Sequence, residues 1–362
     1  MKKIKRLSAI VLAVVMLFSL ASCSLVNTSE TDITDDNIKI GVLLSDAADS
    51  TVGTSGVTNT MISRLAGLGY GIKEDRFKKV EKVDPSNAEA VAAAYKTLVN
   101  FECNMIIVSD PAFAQATVAV ADQNPAIAFF VFKGQSNGKN IFGYKANITA
   151  AAYLSGIVAG LKATELKVPQ IGYILKSDKD YSTLNAFFKG AKSVNEKITA
   201  SVVVAGDDIA ADAQKLVKNG CVVLASDIQD EAIAKTATEN DIFFCDFGTD
   251  SLANEDYAKA FLCAPMYDFT QYFIDTIKTV IDFEAPEGAE ESAVELMVKQ
   301  GLIKEYNGGY AAGSTYLSAI NADNAAEGTN ETVKAVSETL ANGSLKFELS
   351  ASKLENGITI IK

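Results

Sequence analysis

The sequence predicts an α/β protein of two successive lobes, each built on a parallel sheet with helices on both faces. Three observations predict it. Short apolar runs recur along the chain, as in 127–132 (IAFFVF), 170–175 (QIGYIL) and 221–225 (CVVLA). Each is apolar throughout instead of alternating, which marks a strand buried on both faces. Between successive runs lie segments with helical spacing, so the connections read as βαβ crossovers. The alternation runs through about five such units and then begins again, which gives two similar lobes.

In chain order, residues 38–45 (IKIGVLLS) form the first strand and 57–68 a helix. Ser86 with Glu89 has the spacing of a capping box ahead of an Ala-rich helix reaching Asn100. A strand follows at 104–109, and a helix at 112–122 that Asn124-Pro125 ends. Strands at 127–132 and 141–144 complete the first set. The second set opens with an apolar helix at 149–164. Its strand at 170–175 precedes a helix at 182–193 carrying Phe187 and Phe188. A strand at 199–205 leads to Asp208, which can cap a helix that Gly220 stops. Then come a strand at 221–225, a helix at 230–239, strands at 242–246 and 260–264, and a long helix at 268–283. The tail is acidic from Glu284 to Glu295, Gly-rich at Asn307-Gly308-Gly309, and helical again near 331–341.

The chain of 362 residues opens with Lys2, Lys3, Lys5 and Arg6, then an apolar run from Ile10 to Leu20, then Leu20-Ala21-Ser22-Cys23. A basic start, a short apolar run and small residues before a cleavage point make a secretory leader. The run is too short for a spanning helix, which needs ~20 apolar residues. Its ending resembles the lipobox of bacterial lipoproteins, which implies that residues 1–22 are removed and that Cys23 carries lipid. Residues 24–37 (SLVNTSETDITDDN) are polar and acidic, a composition that stays unfolded. Such a tether reaches about 20 Å on average and roughly 50 Å at full stretch. The protein is thus expected on the outer face of the cell membrane, held by lipid.

The net charge is −12, and 48% of residues are hydrophobic. No basic patch stands out, which argues against nucleic acid and against adhesion to anionic lipid through charge. There is no histidine, so Ser-His-Asp and Cys-His catalysis and the usual zinc sites are excluded. Cys103, Cys221, Cys245 and Cys263 match no zinc spacing. They read as buried thiols, with a disulfide among the last three left open in an exported protein. No dinucleotide fingerprint or P-loop is present, so no cofactor is expected; Gly69-Tyr70-Gly71 reads as a turn.

In open α/β sheets, ligands bind beyond the carboxyl ends of the strands. Those ends carry Ser45-Asp46 with Asp49 and Ser50, Ser109-Asp110 with Phe113, Lys133-Gly134-Gln135, Lys176-Ser177-Asp178, Ser226-Asp227, Asp246-Phe247 and Met266-Tyr267-Asp268. Taken singly, Ser or Asp after a strand is a helix cap. As a recurring set with aromatic faces, they suit a polyol or a nucleoside. The candidate ligand set is Asp46, Asp49, Ser50, Asp110, Phe113, Lys133, Lys176, Asp227, Asp246 and Tyr267.

The segment Asn124-Pro125…Phe129-Phe130-Val131-Phe132, followed by Ala151-Ala152-Tyr153-Leu154-Ser155-Gly156, resembles the basic membrane protein (PnrA-like) family. Phe187-Phe188-Lys189-Gly190, Tyr306-Asn307-Gly308-Gly309 and Gly343-Ser344-Leu345-Lys346 extend the likeness over about 38–350. The resemblance implies a lipoprotein solute-binding subunit of an ABC importer with the type I periplasmic-binding fold, partnered by permease subunits. It implies hinge closure on a nucleoside- or sugar-like ligand and no catalysis. The implied lobes are 38–145 plus 265–310 and 146–264 plus 311–362. Three positions depart from the family pattern. The first loop lacks an aromatic residue, Lys133 stands where the family has aspartate, and Tyr267 stands where it has lysine. Asp246 keeps the family aspartate. A lysine in place of a carboxylate favours an anionic or carbonyl-bearing ligand. Two other readings remain open at this point: a sensory binder on the same fold, and a carboxylate-dependent hydrolase.

Overall fold

The computed structural model describes residues 38–50, 53–67 and 72–361. The leader, Cys23, the tether and the turn at 69–71 lie outside the described residues. The first sheet is parallel and contains β1 (Ile40–Leu43), β2 (Phe77–Val80), β3 (Met105–Val108), β4 (Ala128–Phe132), β5 (Ile141–Ala146) and the late β12 (Tyr306–Gly308), in the order β12-β5-β4-β3-β1-β2. Its helices are α1 (Gly53–Gly67), α2 (Ala88–Asn100), α3 (Ala114–Gln123), α8 (Thr270–Asp282) and α9 (Ala293–Lys299).

The second sheet is also parallel. It holds β6 (Gln170–Leu175), β7 (Thr199–Val204), β8 (Val223–Ser226), β9 (Phe243–Cys245), β10 (Phe261–Cys263) and the late β14 (Ile358–Ile360), in the order β10-β9-β8-β6-β7-β14. Helices α4 (Thr149–Glu165), α5 (Ser182–Val194), α6 (Ile209–Lys218), α7 (Glu231–Glu239) and α10 (Thr329–Ala341) belong with it. The expected two parallel-sheet lobes are therefore what the chain forms. Their central strands are buried on both faces, as their unbroken apolar character requires.

The two cores are built differently. In the first, rings pack on rings: Phe130 meets Phe273 edge-on at 5.5 Å, and Tyr144 meets Phe269 and Phe273 at 5.1 Å each. Such pairs contribute ~0.5–1.5 kcal/mol each beyond the area they bury. In the second, α4 and α5 touch backbone to backbone. A Cβ on Gly156 would lie 1.8 Å from the Phe187 carbonyl oxygen, and one on Gly190 would lie 1.9 Å from that of Tyr153. Only glycine fits, which gives the Tyr-Leu-Ser-Gly and Phe-Phe-Lys-Gly motifs a packing reason.

Three stretches join the lobes. Asn147 precedes α4, and the antiparallel pair β11 (Pro265–Tyr267) and β13 (Thr315–Leu317) carries the other two crossings. Arg64 of α1 ties this hinge to the first lobe. It pairs with Asp268, donates to the Tyr316 hydroxyl at 3.4 Å and lies 5.9 Å from that ring.

Some local expectations are corrected. Ser86 is not the cap of α2: it turns back onto Asp84, and Asn87 accepts the Ala90 N–H at 3.1 Å instead. The helix expected from residue 112 opens as a 3-10 turn, Pro111–Phe113, before α3 begins. Strand β2 was not expected, because FKKV is a half-polar edge strand. All four described cysteines are free and buried, with Cys245 and Cys263 Sγ atoms 3.8 Å apart on paired strands.

Candidate functional site

The loops at the carboxyl ends of the strands in both sheets carry the polar residues singled out above. On the first lobe, Asp46 and the serines interlock. Ser45 Oγ lies 3.2 Å from both Asp46 Oδ2 and Ser55 Oγ, and Ser55 Oγ accepts the Asp46 N–H at 3.1 Å. Asp110 accepts the Ala112 N–H at 2.8 Å and the Thr54 hydroxyl at 3.1 Å, so it caps the turn behind it and braces α1. Asp49 is exposed on the first loop, and the Ser50 carbonyl accepts from Asn59 at 3.1 Å. Phe113 does not reach the cleft. It is 1% exposed and packs in the core with Leu43, Val108 and Phe129, because the 3-10 turn rotates it inward.

Lys133 takes a left-handed backbone with φ 52°, a conformation that costs a residue with a side chain on the order of 1–3 kcal/mol. Its ammonium sits 5.1 Å from the Phe132 ring and 5.3 Å from the Tyr267 ring. It forms no ion pair among the described residues. The side chain is exposed to solvent but walled in, so desolvation pushes its pKa below the lysine range. The Lys176 ammonium adds to that depression, and the carboxylates of Asp227 and Asp110 oppose it. Lys133 therefore shares one electrostatic neighbourhood with Asp110 of its own lobe, with Lys176 and Asp227 of the other, and with Tyr267 of the hinge.

On the second lobe, strand register sets the geometry. Ile174 of β6 pairs with Ser226 of β8, which places Lys176 beside Asp227. Asp227 Oδ1 accepts the Lys176 N–H at 2.6 Å, yet burial raises its pKa to about 6. Asp246 follows β9. It accepts the Phe247 N–H at 2.8 Å and the Ser251 hydroxyl at 2.6 Å, and burial likewise raises it to about 6. Tyr267 is 8% exposed. Burial raises its pKa first and the nearby Asp227 carboxylate second.

Three polar groups here escaped the sequence reading. Tyr173 of β6 is 1% exposed, and its hydroxyl has no hydrogen-bond partner among the described residues. Its ring packs in the second-lobe core 5.5 Å from Phe187, and burial raises its pKa, followed by Asp227 and Tyr267. Gln229 Nε2 and Thr249 Oγ1, on the loops after β8 and β9, are also buried without partners. The Gln229 amide fills the space above Gly248, 2.4 Å from where a Cβ would stand there. Periodicity hides all three, because a strand tyrosine reads as core and a loop glutamine as surface.

Two surface cavities, of about 270 and 290 Å³, lie on the first lobe away from these strand ends. One touches Pro125 and Asn140, which precede β4 and β5, and so opens at the opposite edge of the sheet. The other runs along α1 and the outer strand β2. Neither gathers residues from two lobes. Among the described residues no group of histidine, cysteine and carboxylates could hold a metal ion.

Two parallel-sheet lobes joined by three crossings define the architecture, and the family match gives the class, an ABC transporter substrate-binding protein. The chain belongs to the PnrA-like family of ABC transporter substrate-binding proteins, whose model matches residues 63–288, more than half of its length. Its fold matches an ABC transporter solute-binding protein from Conexibacter woesei with a TM-score of 0.65, at 16% identity over 86% of this chain and 99% of that one. A transcriptional activator of the comK gene from Bacillus halodurans also gives 0.65, at 17% identity over 85% and 99%. A solute-binding protein from Aeropyrum pernix gives 0.62, at 13% identity over 86% and 94%. In sequence, the chain is 24% identical over 210 residues to metabotropic glutamate receptor-like protein M of Dictyostelium discoideum. That match takes in 55% of this chain and 28% of the length of that relative. The family binds small-molecule solutes outside the cytoplasm and works with ABC transporter components. No helix among the described residues is long and apolar enough to cross a membrane.

Proposed function

We propose that this chain is a lipid-anchored solute-binding subunit that captures a small polar ligand, nucleoside- or sugar-like, between its lobes and delivers it to an ABC permease. The observation that carries this reading is the placement of Lys133. Its ammonium lies over the Tyr267 ring of the hinge and is acted on by the charges of Lys176 and Asp227 of the second lobe. A ligand seated there touches both lobes, and contacts made only when the lobes approach stabilise the closed form. The lobes that move are taken as 38–145 with 265–310 and 146–264 with 311–362. The departures at Lys133 and Tyr267 argue against assuming purine nucleoside specificity, while Asp246 keeps a family carboxylate at the cleft. Cys23 is the lipid attachment point, and the acidic tether lets the body stand off the membrane.

The test has two arms. Full-length protein purified from its own membranes should carry about one small solute per chain, released on unfolding and lost in Lys133→Ala and Asp246→Ala. Cys23→Ala should be recovered in the soluble fraction. A protein that never carries or binds a small solute would refute the transport reading. Membrane retention of Cys23→Ala at high salt would refute the anchor.

A further inference from the structure

We infer that the solute carries an oxyanion group, a carboxylate or a phosphate, bound between Lys133 and Lys176 and reached from below by the Tyr173 hydroxyl. This rests on the reading of the cleft as the solute site. The argument is a balance of donors and acceptors. Three of the strand-end carboxylates accept from protein donors, while one acceptor behind the first loop, Asn59 Oδ1, is buried without a partner. Asp110 takes the Ala112 N–H and the Thr54 hydroxyl, Asp227 takes the Lys176 N–H, and Asp246 takes the Phe247 N–H and the Ser251 hydroxyl. The donors are not matched in the same way. The Lys133 and Lys176 ammoniums make no ion pair or hydrogen bond to any described residue, and the buried hydroxyl of Tyr173 has no partner. Gln229 Nε2, which can only donate, is buried without an acceptor on the adjoining loop. A buried donor without a partner is costly, which for Gln229 Nε2 calls for an acceptor; the Tyr173 hydroxyl can donate to the same group, and the exposed ammoniums of Lys133 and Lys176 are free to meet an anion.

Charge points the same way. Lys133 stands beside the Tyr267 ring at the hinge, and the Lys176 ammonium of the other lobe acts on it more strongly than either carboxylate taken singly. In a chain of net charge −12, both lysines stand without an ion-pair partner among the described residues. An anion between them removes the repulsion and draws the lobes together. The Tyr267 ring beside Lys133 leaves an apolar face for the rest of the solute.

The experiment is calorimetric titration of the detergent-solubilised full-length protein with matched pairs: glucose and gluconate, ribose and ribose 5-phosphate, uridine and uridine 5′-monophosphate, with inorganic phosphate alone. The solute that co-purifies is identified by mass spectrometry in parallel. The inference predicts that the acidic member of a pair binds at least tenfold more tightly than its neutral partner and weakens as salt is raised. The gluconate and phosphate arms tell the two oxyanions apart. Lys133→Gln and Lys176→Gln should each lose about tenfold, Lys133→Arg should keep most of the affinity, and Tyr173→Phe should lose several-fold. Equal or tighter binding of a neutral partner, or a co-purified solute with no acidic group, overturns the oxyanion and leaves the solute-binding role standing. No binding and no co-purified solute overturns both.

Discussion

The two lobes carry unlike residues at the carboxyl ends of their strands. Along the first lobe's edge, Ser45, Asp46 and Ser55 bond one another and Thr54 donates to Asp110, and Asn59 Oδ1 is the buried polar atom there without a partner. Along the second, Asp227 and Asp246 are held part-desolvated with raised pKa, and Tyr173, Gln229 and Thr249 keep buried polar atoms without partners. The cores beneath differ in the same sense. Interlocked rings fill the first, whereas the second depends on glycine contacts between α4 and α5. The contrast teaches that carboxylates following strands are not equivalent. A carboxylate that caps a turn serves the fold, and a polar group buried without a partner is poised for something that binds.

The largest effect should come from the second core. Gly190→Ala drives a methyl into the Tyr153 carbonyl with no side chain to yield, and should lower unfolding free energy by ~3 kcal/mol or more in urea titration. A loss under about 1 kcal/mol would mean that α4 and α5 can separate, and the claimed difference between the cores would fail.

The next pair of variants sets one edge against the other. Asp110→Ala should cost about 1 kcal/mol of stability through its lost cap and leave affinity for the co-purified solute little changed. Tyr173→Phe removes a hydroxyl that holds nothing within the protein, so thermal stability should be unchanged or raised. Affinity should fall by ~1–2 kcal/mol if that hydroxyl meets solute. The reverse pattern would invert the comparison.

The smallest effect is in pH. Asp246 titrates near 6 in the folded chain, above its usual value, so the fold binds its proton more tightly than the unfolded chain does. Its contribution to stability is therefore full at low pH and is lost as pH rises through 6. Relative to Asp246→Asn, the wild type should be about 1 kcal/mol more stable at pH 5 than at pH 7.5. An equal difference at both pH values would show that Asp246 is not desolvated.

Much of the fold is legible in the sequence, because long apolar runs and helix stops are local signals. Strand β6 and the Asp208 cap of α6 lie where the sequence places them. The three-residue strands β12, β13 and β14 do not announce themselves, since their pairing with β5, β11 and β7 is decided by partners far along the chain. The site is legible only in part. Lys133, Lys176, Asp227, Asp246 and Tyr267 do follow strands, as the sequence places them. The sequence cannot tell that Phe113 rotates into the core, or that the Tyr173 hydroxyl is left unmatched, because both follow from packing around them.

The central claim is that solute is held by both lobes at once, and small-angle scattering tests it most directly. Full-length protein would be measured as purified with its solute and again after stripping by reversible unfolding. The account predicts a smaller radius of gyration for the loaded protein and a return to it when the extracted solute is added back. Superimposable profiles at saturating solute would contradict a clamp formed between the lobes.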